Sequence, residues 1–184
     1  MSPLKVLLAC LAAMVSALGL AEDPRQALRD AQLAALPAAL ASLAGADIAP
    51  QGFAQPVTGR LSSSFGWRNV SVNGNRYHFG VDWAAPTGTP VRAARDGVVW
   101  RAGWWSTYGY AVALDHGDGS ETRYAHLSSI SVQSGAVVRQ GDVIGLVGST
   151  GASTGPHLHF ELRFGERAVD PLGYLEGSLE TATR

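Results

Sequence analysis

The stretch Gly151–Phe164, GASTGPHLHFELRF, sets His157 and His159 on either side of a single leucine. From His157 onward, apolar residues alternate with polar ones through Phe160, Leu162 and Phe164, which reads as a β-strand. On a strand, residues i and i+2 share a face with their Cα atoms roughly 6.8 Å apart. His157 and His159 can therefore aim at one point, with Glu161 following them on that face. Such a pair suits a metal or proton transfer; otherwise one ring is buried and satisfied while the other is solvated. Glu161 is read either as a partner orienting one of the rings or as a surface glutamate at a strand end. The chain has five histidines, and the other three bear on the choice.

The 184 residues leave room for one domain and an appendage. With 46% hydrophobic and 16% charged residues, the chain can bury a core and is not globally disordered. Residues 1–21 read as a secretory signal: Lys5 precedes the apolar run VLLACLAAMVSALGL, and Gly19-Leu20-Ala21 supplies small residues before Glu22. That run is short for a membrane anchor. Cys10 in LLAC suggests lipidation, but most of the apolar run follows the cysteine instead of preceding it. Cleavage after Ala21 removes both Lys5 and Cys10, so the mature chain has no disulfide, thiol nucleophile or thiolate site. Removing Lys5 from the 14 basic residues leaves 13 against 15 acidic, a net charge of −2 with no basic run. This argues against nucleic acid as a partner. The expected location is outside the cytoplasm, periplasmic or secreted, with no stable membrane insertion after cleavage.

Residues 22–50 read as a helical leader and linker. Asp23-Pro24 is a cap and first-turn pair, and Leu33, Leu36, Leu40 and Leu43 recur at helical spacing. Pro37 should kink the segment, and Gly45 is a plausible stop. Residues 51–176 change texture: short apolar runs are punctuated by Gly, Pro, Asp and Asn, which predicts a mainly antiparallel β domain. Asp118-Gly119 predicts a hairpin turn. RDGVVWRAG and RQGDVIGLVG, within residues 91–103 and 138–148, echo each other and hint at related hairpins. Residues 177–184 form a C-terminal tail.

In RYHFGVDWAAPTGTP, His78 and Asp82 lie four apart, and on one extended backbone both would reach one ion. Imidazole and carboxylate suit Zn²⁺, whose catalytic sites take three protein ligands and an open position. The alternative is a surface histidine and a turn aspartate. RYAHLSSI puts His126 near the end of another strand, where a hydrogen-bonded structural role would suffice. HFGVD, YAHLS and STGPHLHFE, in that order and with QGDVIGLVGSTG between the last two, resemble the lysostaphin-type (LytM-like) zinc endopeptidases of bacterial peptidoglycan. The resemblance covers roughly residues 56–173. It implies a LytM-like antiparallel sheet, related to barrel-sandwich hybrid hairpins, and one Zn²⁺ per chain on His78, Asp82 and His159. It makes His126 and His157 an unligated catalytic pair handling protons and the oxyanion, and peptidoglycan peptides the substrate. A regulatory protein partner is left unidentified.

Three further features carry smaller expectations. His116 in LDHGDG is taken as structural. Trp104, Trp105, Tyr108 and Tyr110 either wall a substrate groove or cover the sheet. SSFGWR, ending at Arg68, resembles a loop of the same family near the active-site rim, and the resemblance implies that Arg68 is placed to meet a substrate carboxylate. A biotinyl- or lipoyl-type carrier fails because it needs a lysine, and the only lysine is Lys5. The stronger rival is a non-catalytic LytM-like regulator of other wall hydrolases. Such relatives lack one or more site residues, and all five positions are filled here.

Overall fold

A computed structural model describes residues 52–72 and 74–176. The expected signal at 1–21, the helical leader at 22–50 and the tail at 177–184 lie outside the described residues. Alternation decides the architecture. In the strand β11, His157–Phe164, the residues Leu158, Phe160 and Leu162 are fully buried on one face. Truncating a side chain such as Phe160 to alanine would cost about 3–5 kcal/mol. His157, His159 and Glu161 face the other way.

Preceding strands are β1 (Arg60–Ser63), β2 (Gly66–Val72), β3 (Asn75–His78), β4 (Val81–Ala84), β5 (Pro90–Arg92) and β6 (Gly97–Trp104). Then come β7 (Tyr110–Asp115), β8 (Ser120–Ile130), β9 (Val137–Val138) and β10 (Val143–Val147), and after β11 the short β12 (Arg167–Val169). The main sheet runs β1-β4-β11-β8-β7-β6-β9, with β10 joining β5 to β8 and β12 lying on β11. The hairpin β2–β3 forms a separate two-stranded sheet. All the strand pairs among these elements are antiparallel, so the expected fold class holds.

The turn at Asp118-Gly119 joins β7 to β8, as its sequence demands. The echoed segments have a counterpart, but they interlock instead of closing into two hairpins: β5 pairs with β10, and β6 with β9.

Two registers position the site. His159 lies directly opposite Asp82 across the β11–β4 ladder and opposite Ala125 across the β11–β8 ladder. Between β3 and β4 the chain turns at Phe79-Gly80. A Cβ on Gly80 would lie 2.2 Å from the Phe160 carbonyl oxygen, so only glycine lets the turn approach β11 this closely.

Candidate active site

His78 and Asp82 do not lie on the one extended backbone, strand or loop, that their spacing predicts. His78 ends β3 in the small sheet, Asp82 lies on β4 in the main sheet, and the bend at Gly80 brings their side chains together. His78 Nε2, Asp82 Oδ1 and His159 Nδ1 form a nearly equilateral triangle with edges of 3.1, 3.0 and 2.9 Å.

The outward atoms of both rings fix what the inward atoms can do. His78 Nδ1 donates to the Ser64 carbonyl at 2.8 Å, and His159 Nε2 donates to Glu161 Oε1 at 3.1 Å. In the neutral rings, His78 Nε2 and His159 Nδ1 are therefore acceptors, facing a carboxylate oxygen that is also an acceptor. Three lone pairs converging at about 3 Å repel one another unless a cation stands among them. Two imidazole nitrogens and one carboxylate oxygen, with no sulfur, match the donor set of a catalytic zinc site. These three residues can hold such an ion. Without one, a proton relieves the repulsion: burial disfavours charge on His159, but Asp82 and Glu161 outweigh it and push its pKa up to about 9. Burial also opposes the Asp82 charge, yet its bonds to His159 and His78 hold it well below the usual carboxylate range.

His126 is the seventh residue of β8, not near a strand end as expected. The ladder of β8 with β11 stops at Ala125 and its ladder with β10 starts at Leu127. His126 occupies the break, at φ 62. This is a bulge of the kind that re-aims a side chain beside a site. Its ring lies 4.7 Å from that of His157, centroid to centroid. Each donates from Nδ1 to a backbone carbonyl at 2.8 Å, His126 to Thr150 and His157 to Gly155. Their Nε2 atoms are left as acceptors in the neutral form, and His157 Nε2 is 3.8 Å from Asp82 Oδ1. Burial, aided by the neighbouring His159 and His157, lowers the His126 pKa to about 4, so this ring is neutral near pH 7.

Behind the triangle lies a polar layer that the sequence only half disclosed. Glu161 is 1% exposed and is no surface glutamate. Besides His159 it accepts from Tyr108 Oη at 2.6 Å and Arg163 Nη1 at 2.8 Å. Burial would raise its pKa, but His159 first, then the Tyr108 hydroxyl and the nearby Arg123 charge, bring it down to about 2. Burial and the Glu161 charge push the Tyr108 hydroxyl up to about 12. Tyr108 and Glu161 are 53 residues apart, so no local pattern could link them. The four aromatics therefore divide. Tyr108 backs the site, Trp105 stacks under Arg101 and Arg123, and Trp104 packs edge-on against Tyr110 at the surface.

His116 lies elsewhere, bonded to the Asp96 carbonyl and Thr122 Oγ1 at 2.7 and 2.8 Å. The five predicted residues instead line one open groove of about 670 Å³, with Arg68, Tyr77 and Phe79 on its β2–β3 side. That volume is in the range of ligand sites.

The family model described as Peptidase family M23 matches residues 76–171. The chain is 53% identical over 114 residues to the DD-carboxypeptidase/endopeptidase Mpg of Neisseria meningitidis serogroup B, covering 61% of this chain and 26% of that protein. It is 44% identical over 115 residues to the peptidoglycan DD-endopeptidase ShyA of Vibrio cholerae, covering 61% and 27%. The chain thus spans about a quarter of the length of these curated relatives. The catalytic domain of the antimicrobial peptidase lysostaphin from Staphylococcus simulans superposes with a TM-score of 0.62 at 36% identity, covering 65% of this chain and 93% of that domain.

Proposed function

The chain belongs to peptidase family M23, and from that premise we propose that it is an exported zinc metalloendopeptidase hydrolysing peptide bonds of bacterial peptidoglycan. The observation that carries the reading is the convergence of three inward acceptors, His78 Nε2, Asp82 Oδ1 and His159 Nδ1, beside two further imidazoles. On this reading the first three residues hold one Zn²⁺ and His126 and His157 do the proton work. Zinc supplies Lewis acidity and makes water acidic enough to lose a proton near neutral pH.

The remaining chemistry belongs to the side chains. His126, held neutral by burial and oriented by Thr150, presents Nε2 to accept a proton from the attacking water. His126 then returns that proton to the leaving amine. His157, oriented by the Gly155 carbonyl, stabilises the developing oxyanion in the form that carries a proton on Nε2 and donates it as a hydrogen bond. Such acid–base assistance contributes about 10²–10⁴-fold. Glu161, fixed by Tyr108 and Arg163, keeps the His159 ring in the tautomer that points Nδ1 inward. All five positions are filled, which supports an enzyme over a non-catalytic regulator. The peptidoglycan substrate is supported by the activity named for the Vibrio cholerae relative.

The test is to load the mature protein with zinc, incubate it with purified sacculi and identify the released fragments by mass. Peptide cleavage that chelation abolishes and zinc restores is the expected result. Full turnover in metal-free protein would remove the zinc mechanism, and release of sugar fragments alone would remove the peptidase. The exported form should begin at Glu22. An acylated Cys10 at its N-terminus would instead make the protein an anchored lipoprotein.

A further inference from the structure

Arg68 lies on β2 and borders the groove next to Asp82. Its Nη1 is 4.0 Å from Asp82 Oδ2 and 3.4 Å from Ser63 Oγ, and its Nε is buried with no hydrogen-bond partner among the described residues. These are few and long contacts for a group with five N–H donors in a fixed fork. Other arginines of the chain are better engaged: Arg95 meets Asp118 Oδ2 at 2.7 Å, and Arg123 bonds Glu121 and stacks on Trp105. Mobility does not explain the difference, because the Arg68 side chain is only 17% exposed. Asp82 does not complete it either. Oδ1 is the oxygen bonded to His78 and His159, and Oδ2 stays beyond hydrogen-bond distance of the guanidinium.

We infer that Arg68 determines specificity by binding a free carboxylate of the substrate, carried by one of the two residues that the scissile bond joins. This rests on the peptidase reading of the same site. The triangle and Arg68 flank the same carboxylate, Asp82, so groups bound at the two places are separated by only a few covalent bonds. A guanidinium takes a carboxylate through two parallel N–H···O bonds, and in a half-buried setting that anion replaces the partner the protein withholds. Two kinds of wall bond meet the requirement. One ends the peptide, and the other is made by an amine of a diamino diacid; in both, the released nitrogen is attached to a carbon that bears a free carboxylate. A bond inside a glycine bridge does not. Arg68 therefore assigns the site to the first class.

The test uses the full zinc-loaded chain and two probes: a peptide ending in D-alanyl-D-alanine with a free carboxylate, and the same peptide as its C-terminal amide. Cleavage, equilibrium binding and bound zinc are measured for the wild type, Arg68→Gln and Arg68→Lys. A charge-assisted pair is worth about 1.5–3 kcal/mol, so the wild type should favour the free carboxylate by roughly 10–100-fold. Arg68→Gln should lose that preference with its zinc intact, and Arg68→Lys should recover part of it. Equal losses on both probes, or loss of zinc in Arg68→Gln, would show that Arg68 only supports Asp82 and would overturn the inference. So would equal binding of the two probes by the wild type. If the wild type binds the carboxylate probe preferentially but cleaves neither probe nor sacculi, the carboxylate site stands and the peptidase reading falls.

Discussion

The hairpin end of the sheet and the groove each hold a histidine with nearly the same anchor. His116 donates Nδ1–H to the Asp96 carbonyl at 2.7 Å, and His126 donates to the Thr150 carbonyl at 2.8 Å. Burial lowers the pKa of both. They part at the other nitrogen. His116 Nε2 is bonded to Thr122 Oγ1, which in turn bonds the buried Tyr124 hydroxyl. His126 Nε2 makes no hydrogen bond among the described residues and faces the groove. A buried imidazole held by one backbone bond is thus structural or available for chemistry according to its second nitrogen alone. The same test sorts the groove itself: His78 and His159 turn their free atoms toward each other, whereas His126 and His157 do not join that triangle.

The largest expected effect separates these groups. Asp82→Ala or His159→Ala leaves two inward donors, and zinc affinity should fall by orders of magnitude, taking activity with it. His126→Ala and His157→Ala should keep near wild-type zinc and lose about 10²–10⁴-fold in turnover. Bound zinc and rate on the four variants sort them, and zinc loss in His157→Ala with retention in His159→Ala would reverse the roles. Next come the partners behind the triangle. Glu161→Gln should weaken zinc binding about 10–100-fold, as removal of such a hydrogen-bonding partner typically does. Tyr108→Phe should weaken it less, since Arg163 still holds Glu161; zinc titration against a competing chelator measures both.

A third effect follows from the proton on His159. Its pKa is about 9 without an ion, so below that pH zinc must displace a proton. Apparent affinity should then rise by about tenfold per pH unit between pH 7 and 8 and level off above 9, one proton being released per zinc. Calorimetry in buffers of different ionisation enthalpy counts the protons, and an affinity flat across this range would contradict the arrangement. The smallest effect is at His116. Its folded-state pKa is lowered from 6.5 by burial, so below 6.5 the unfolded chain binds more protons than the folded one. Its contribution is therefore complete above pH 6.5 and declines as pH falls. His116→Gln should flatten that decline in thermal unfolding and leave turnover unchanged.

Strand alternation made the sheet legible, because the β11 pattern has a buried face and a polar face that nothing else in the chain contradicts. The clustering of His157, His159 and Glu161 on one face followed from the same period of two. The meeting of His78 with Asp82 comes about for a different reason than their spacing suggests, since a bend and a change of sheet do what one extended backbone was expected to do. The clue was Gly80, whose role depends on how near Phe160 comes across the sheet. His126 on a bulge and Tyr108 against Glu161 depend on pairings between distant segments, which local patterns do not encode.

The register that sets His159 opposite Asp82 also fixes when the site can come apart. Its two members ride on β4 and β11, and β11 is laced on its other side to β8 along six consecutive pairs, from His159↔Ala125 to Phe164↔Ser120. Amides there should be among the slowest in the molecule to exchange with deuterium, opening only when the whole domain unfolds. His78 and Arg68 belong to the small hairpin, whose own amides should exchange sooner. Heating or denaturant should then release the hairpin's share of the site first and leave Asp82 and His159 paired until the fold itself is lost.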